Sequence, residues 1–378
     1  MEQRRMIRVG ITGQPGFIGT HLYNTLGTLP NEFERIPCED EFFADEAKLC
    51  AFVRNCDAIV HLAAMNRDPD PQVIYDTNVR LVKQLIAAME AEHVTPHVLF
   101  SSSTQEDRNN PYGDSKKEGR RLLQEWAGRT GGKFTGCVIP NVFGPYGRPN
   151  YNSVVATFCH KITHGETPEI QVDGHIKLIY VGDLCMEIIN RIRSGEGVNP
   201  YPMPWGAEKK VSEILSILNR FKTLYFERGI FPELHDRFEI QLFNTFCGYI
   251  DHKNFFPFKL KKNSDDRGSF VETVKLDNLG GQVSFSTTRP GITRGNHYHT
   301  RKIERFAVIK GQARIEIRKI GTDKKLTFEL NRNEPAFVDM PIWYTHNITN
   351  IGSDDLYTIF WINEFYDPSD SDTFFEKV

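Results

Sequence analysis

Up to about residue 195 the chain alternates short β-branched runs with long stretches of helical period, and past Asp265 that alternation stops. "IRVGITG" ends in glycine before "FIGTHLYNTLGTL", whose apolar residues recur at helical spacing. The unit repeats as "CDAIVHLAAMNR" before "VIYDTNVRLVKQLIAAMEAEHV", and as "HVLFSSS" before "YGDSKKEGRRLLQEWAG". Strands joined by helices of this length run parallel with crossovers, so the first part is read as an α/β, doubly wound parallel sheet. From Asp265 on, "RGSFVETVKL", "GQVSFSTT", "RFAVIKG", "ARIEIRKI", "KLTFEL", "PAFVDM" and "LYTIFWIN" are short alternating runs between turn residues. They predict an all-β sandwich or barrel. Between the two textures "VSEILSILNRFKTLYFERG" reads as helix and "PYPMPWG" as a turn-rich connector, which places the domains at 1–248 and 249–378.

Two cores are what the length requires. The chain has 378 residues, 39% of them hydrophobic, and single cores stop growing near about 250–300 residues. Forty-six basic and forty-nine acidic residues leave a formal charge of −3, which gives no overall electrostatic case for nucleic acid or an anionic membrane. The N-terminal "MEQRRMIRVGITG" runs straight into a strand pattern without the apolar core of a signal peptide, and no uninterrupted apolar run has spanning length. The seven cysteines are scattered singly, without a CxxC, so reduced thiols and a cytoplasmic setting are expected.

The turn "GITGQPGFIG" puts Gly13, Gly16 and Gly19 between the first strand and the first helix, with Phe17 and Ile18 opening that helix. Small residues there let backbone approach a pyrophosphate at the helix N-terminus, although glycine turns of this kind also occur without a nucleotide. The segment "SSSTQEDRNNPYGDSK" sharpens the reading. Tyr112 and Lys116 stand four apart at a helix start and share one face. An ammonium beside a phenol favours its ionised form, so Tyr112 can pass a proton near neutral pH. Ser103, closing the preceding strand, can hydrogen-bond a substrate oxygen.

At these residues the chain resembles the extended short-chain dehydrogenase/reductases, many of which act on nucleotide-activated sugars. The resemblance runs from about Met6 to Ile192 and takes in "HLAA" (with Leu62, Ala63 and Ala64 over the cofactor), "PNVFGP" and "IYVGDL". It implies a Rossmann-type sheet, with Asn141 reaching the substrate's nucleotide diphosphate. Arg148 could neutralise that diphosphate, since a guanidinium suits phosphate oxygens; the alternative is a solvated loop charge. Ile176 and Lys177 stand where many members carry a phosphate-binding arginine. Glu39 and Asp40, following the second strand, lean toward NAD(H) by the ribose-hydroxyl argument.

The second chemistry-bearing stretch is "GITRGNHYHTRKIERFAVIKG". His297 and His299, two apart on a strand, face the same side, and Glu304 arrives from the next strand. His346 in "MPIWYTHNITN" supplies a fourth group. Three histidines and a carboxylate suit Zn or another divalent transition metal. The spacing resembles the first motif of the cupin family, and "PIWYTHNITN" resembles the second, with Pro335 and Trp343 where that motif usually has glycines. A second resemblance, to the metal-free sugar epimerases of the rhamnose pathway, lies in "DDRGSFVE" and "TRGNHYH". It implies His297 as a base, with Arg267 or Arg294 on the nucleotide phosphates. A metal could also stabilise an enolate beside a ketone, so both roles stay open.

The order of the two parts, their lengths, and strings such as "PNYNSVVATFCHKI" and "GNHYH" resemble the CapF-type bifunctional enzymes of capsular polysaccharide synthesis. That resemblance implies a UDP-linked 4-keto-6-deoxy-N-acetylhexosamine as substrate. The cupin would epimerise carbon 3, and the reductase would then reduce carbon 4 with NADPH, NADH being the alternative. The product would be UDP-N-acetyl-6-deoxy-L-talosamine, a precursor of N-acetyl-L-fucosamine, and cupins of this kind usually pair as homodimers. Two other readings stand beside it: a cupin that only stabilises a dimer through its metal or acts as a binding module, and a sugar-nucleotide binding protein with a dead reductase site.

Overall fold

The computed structural model describes residues 5–108, 110–260, 262–265, 268–271, 274–277, 281–364 and 369–378. It divides into two compact units, Met1–Phe143 with His175–Lys209, and Gly144–Gly174 with Lys210–Val378.

The first unit is built on β1 (Ile7–Thr12), β2 (Phe33–Ile36), β3 (Ala58–His61), β4 (His97–Ser103) and β5 (Phe134–Ile139). They pair in parallel in the order β2-β1-β3-β4-β5. A parallel sheet is covered on both faces, so its strands read as continuous apolar runs; all four residues of β3 are buried. On one face, α1 (Phe17–Gly27) and the helix Val181–Ser194 pack Leu22, Leu26, Leu184 and Ile188 against Val9 and Ile11. On the other, α2 (Glu46–Arg54), α3 (Pro71–Ala91) and α4 (Pro111–Thr130) pack Phe52, Leu85 and Trp126 against Ile59 and Phe100. The chain leaves β1 toward β2 on one side and continues through β3 on the other. Such a switch in direction opens a crevice at the carboxyl ends of β1 and β3, where ligands bind in open α/β sheets. The segment "PYPMPWG", expected as a connector, instead contributes Tyr201–Pro202 as a parallel edge strand beside β5. An edge tolerates the proline because one of its N–H positions faces no partner.

The second unit contains the expected all-β part as two five-stranded antiparallel sheets. One runs Phe258–Lys259, Ala336–Met340, Glu304–Lys310, Leu356–Ile362, Gln282–Thr288. The other runs Lys325–Asn331, Gln312–Lys319, Tyr344–Asn350, Thr293–Tyr298, Phe374–Phe375. Buried residues of the two sheets, among them Ile315, Ile317, Phe337, Val338 and Ile348, form one core. The helices Val154–Thr163, Val211–Phe221 and Arg237–Cys247 belong to this unit too. The antiparallel strands begin at Phe258, after the short helix His252–Phe255, and compactness does not follow a line at residue 248. Arg305 donates to the Gly229 carbonyl at 2.9 Å, Tyr225 donates to Asp339, and Tyr146 donates to the Ile342 carbonyl at 2.8 Å. These bonds join segments on either side of residue 248 into one unit.

Candidate active site and metal centre

At the crevice of the first unit, Gly13 has φ +68, and a Cβ there would lie 2.8 Å from the backbone of Ala63. A side chain at Gly19 would meet the Gly13 carbonyl oxygen at 2.4 Å. The two glycines thus let β1, α1 and the Leu62–Ala64 segment close to backbone distance, as a pyrophosphate-binding turn needs. Gly16 caps α1 without a side-chain bond to its first N–H groups. His61 closes β3 with Nδ1 2.7 Å from the Thr12 hydroxyl, which also accepts the Ala63 N–H at 3.3 Å. Burial, with the Lys116 charge, pushes His61 down to about 3, so its ring is neutral.

The helix carrying Tyr112 and Lys116 starts where the sequence dictates. Asn110 accepts the Gly113 N–H at 2.8 Å, and Pro111 takes the first turn. Lys116 is 2% exposed, its Nζ 3.4 Å from Ser101 Oγ and 5.6 Å from the centre of the Tyr112 ring. Burial pushes the ammonium down to about 8, opposed by the charge of Glu106. Ser103 Oγ accepts the Gln105 N–H at 3.1 Å, which leaves its own proton to donate. Asn78, unremarked in the sequence reading, bonds the Met65 N–H at 2.7 Å, the Met65 carbonyl at 3.0 Å and Ser115 Oγ at 3.0 Å. It ties the segment after β3 to the helix of Tyr112. The one signal was an asparagine on the apolar face of a helical pattern.

Asn141 is exposed and donates to the Lys177 carbonyl at 3.3 Å. In the second unit Arg148 is exposed, its guanidinium 5.0 Å from the Tyr151 ring centre. Arg294 is exposed on the strand of His297 and donates to the Thr287 carbonyl at 3.0 Å. Arg267 lies outside the described residues. Glu39 and Asp40 are exposed past β2, where Glu39 caps a short 3-10 turn.

In the second unit His297, His299, Glu304 and His346 each offer one ligand atom within 4.8 Å of the others. His297 and His346 are cross-strand partners in one sheet, while Glu304 opens a strand of the facing sheet. Glu304 Oε2 lies 3.3 Å from His299 Nε2 and 3.1 Å from His346 Nε2, yet none of these buried atoms makes a well-directed hydrogen bond. The outer nitrogens are bonded instead: His299 Nδ1 to the Asp372 carbonyl at 2.5 Å, and His346 Nδ1 to the Tyr344 carbonyl at 3.3 Å. Since a carbonyl only accepts, each Nδ1 carries a proton, and each Nε2 is the atom turned toward the carboxylate. Buried acceptors converging on one point fit a cation. Burial lowers the affinity of His299 for a proton, but Glu304 and Asp372 together outweigh it and the net shift is upward; Glu304 in turn is held well below the carboxylate range by His299 and His346 despite its burial. Burial and the neighbouring imidazoles push His297, the more open member, down to about 4. Trp343, the residue in a glycine position, adopts φ +60, so the turn keeps its shape. Its N–H bonds the His299 carbonyl at 2.8 Å and its ring stacks on Tyr298.

Residues 9–196 match the NAD dependent epimerase/dehydratase family, and residues 263–374 the polysaccharide biosynthesis C-terminal domain. The crystal structure of capsular polysaccharide assembling protein CapF from Staphylococcus aureus is 34% identical, with TM-score 0.62, over 98% of this chain and 100% of that one. The UDP-2-acetamido-2,6-beta-L-arabino-hexul-4-ose reductase of Pseudomonas aeruginosa is 32% identical over 97% of this chain and 98% of that protein. This chain belongs to the CapF-type family. The spore coat polysaccharide biosynthesis protein SpsL of Bacillus subtilis is 30% identical over 30% of this CapF-type chain and 82% of its own length. The family's Rossmann-like parallel sheet with a β-rich second part is the architecture described above.

Proposed function

We propose that this CapF-type chain converts a UDP-linked 4-keto-6-deoxy-N-acetylhexosamine in two steps, epimerisation of carbon 3 and reduction of carbon 4. The observation that carries the reading is the pairing, in one chain, of a buried lysine beneath Tyr112 at a dinucleotide-type crevice with a four-residue donor set in a β-barrel. The Pseudomonas relative, matched along nearly its whole length, is named as a reductase of such a keto sugar.

In the first step a base removes the proton at carbon 3. The ketone at carbon 4 takes up the charge as an enolate, and a proton returns to the opposite face. His297, His299, Glu304 and His346 would hold a divalent metal such as zinc, which when bound supplies Lewis-acid stabilisation of an oxygen. On the base reading His297 takes the proton; on the ligand reading it completes the donor set, and the metal content of His297→Ala separates the two. In the second step Tyr112 donates its proton to the oxygen of the carbon 4 carbonyl, which Ser103 holds; a reduced nicotinamide, when bound, would supply the hydride. Lys116 steadies the phenolate and the nicotinamide ribose. Gly13, Gly16, Phe17, Ile18, Gly19 and Leu62–Ala64 seat the dinucleotide, NADPH by family and NADH as the alternative. Asn141 and Arg148 are proposed for the nucleotide diphosphate in the reduction step, and Arg267 or Arg294 for the nucleotide phosphates in the epimerisation step. Reduction locks the new configuration because carbon 3 loses its acidity with the ketone. A homodimer working in the cytoplasm completes the reading.

The deep burial of His299, Glu304 and His346 favours one second reading, in which the metal only stabilises the barrel. Incubating the protein with NADPH and the UDP-4-keto sugar in deuterated water decides. Nicotinamide oxidation with deuterium at carbon 3 of a talo-configured product supports the proposal, and oxidation without that deuterium supports the second reading.

A further inference from the structure

The C-terminal segment 369–378 enters none of the chemistry above, yet it wraps the proposed metal centre. Asp372 is 5% exposed and has φ +41, a backbone region that a non-glycine residue keeps only when its surroundings hold it. Here they do. Its carboxylate accepts the Thr300 N–H at 3.1 and 3.2 Å, the Thr300 hydroxyl at 2.6 Å, the Arg301 N–H at 3.0 Å and the Lys302 N–H at 3.3 Å. The turn that follows His299 thus grips the side chain of Asp372, and the carbonyl of Asp372 grips the Nδ1–H of His299 at 2.5 Å. On either side, the Ser371 carbonyl accepts from Lys302 Nζ at 2.7 Å, and Phe374 and Phe375 pair with Tyr298 and His297. Each part of the segment meets an element that carries a proposed ligand.

We infer that Asp372 is a positioning residue for the metal centre. By taking the Nδ1–H it commits His299 to the tautomer whose Nε2 lone pair faces Glu304 and His346, and by its carboxylate it keeps its own carbonyl in place. The inference rests on the metal-ligand reading above. It differs from a plain staple of the C-terminus, which would add stability without touching metal affinity.

The test uses full-length protein and zinc ion alone, titrated against a chromophoric chelator, with Asp372→Ala and Asp372→Asn beside the natural chain. Loss of an outer-shell partner typically costs about 10–100-fold in metal affinity; Asp372→Ala keeps the carbonyl but removes the anchor that holds it, so a loss at the lower end, about tenfold, is expected. Asp372→Asn is expected to lose less, because an amide oxygen keeps part of the grip and asparagine tolerates the left-handed backbone. Affinity in Asp372→Ala within about threefold of the natural chain, with or without a lower melting temperature of the metal-free protein, would overturn the inference. Should that variant not fold, nitrogen-15 histidine spectra of the natural chain decide: a His299 proton on Nδ1 supports the inference, and one on Nε2 alone overturns it. If the natural chain binds no zinc, the ligand reading itself fails, a result distinct from equal binding by both proteins.

Discussion

The ammonium of Lys116 lies 3.4 Å from the hydroxyl of Ser101, 2% exposed and with no carboxylate at ion-pair distance among the described residues. Burial pushes it down to about 8, so it is charged below that pH and neutral above it. Steadying a phenolate requires the charge. In the free enzyme, kcat/KM for ketone reduction is expected to fall about tenfold per pH unit above pH 8, and Lys116→Met to be slow throughout. Folding shows the opposite sign. Between about 8 and the ordinary lysine value the unfolded chain binds more protons, so stability from this group rises with pH.

The crevice glycines admit a sharper test than activity. Gly13→Ala places a methyl group 2.8 Å from Ala63 on a backbone at φ +68, where L-residues are strained. We expect NADPH affinity to drop by more than tenfold, measured by nicotinamide fluorescence, while zinc content stays at the natural level.

His346→Ala removes a donor that is 1% exposed inside the cluster. The variant is expected to lose bound metal by elemental analysis and, with it, deuterium exchange at carbon 3, while still binding NADPH. Unchanged metal content would count against the ligand assignment.

Arg305 and Asp339 form a buried bidentate pair, at 2.7 and 2.8 Å, to which Tyr225 adds its hydroxyl. Both members are 1% exposed, so Asp339→Ala leaves a buried guanidinium unpaired. A loss of about 3–5 kcal/mol is expected in denaturant unfolding. The double replacement Arg305→Met with Asp339→Asn is expected to lose less than the single one, because no charge is then stranded.

What the sequence disclosed about this chain was whatever depends on local pattern. The strand runs, the glycine turn, the four-residue spacing of Tyr112 and Lys116, and the His-x-His pattern are each set by the period of a strand or a helix. Trp343 in a glycine position left the shape of its turn open; the structure shows that a tryptophan can take the left-handed backbone when its N–H and ring are both engaged. Asn78, Asp372 and the pair Arg305–Asp339 stayed hidden because their partners lie 13 or more residues away and no periodicity links them. The compact unit that joins Gly144–Gly174 to the barrel escaped for the same reason. Tyr201–Pro202 was missed because the three prolines of "PYPMPWG" argue against a strand, and only an edge position excuses Pro202.

Division of the two steps between two sites of one chain is open to test in Tyr112→Phe. The variant is incubated with NADPH and the UDP-4-keto sugar in deuterated water, following nicotinamide absorbance together with deuterium at carbon 3. Absorbance is expected to hold steady while deuterium still enters; loss of both signals, or oxidation at the natural rate, would contradict a division of labour between the two sites.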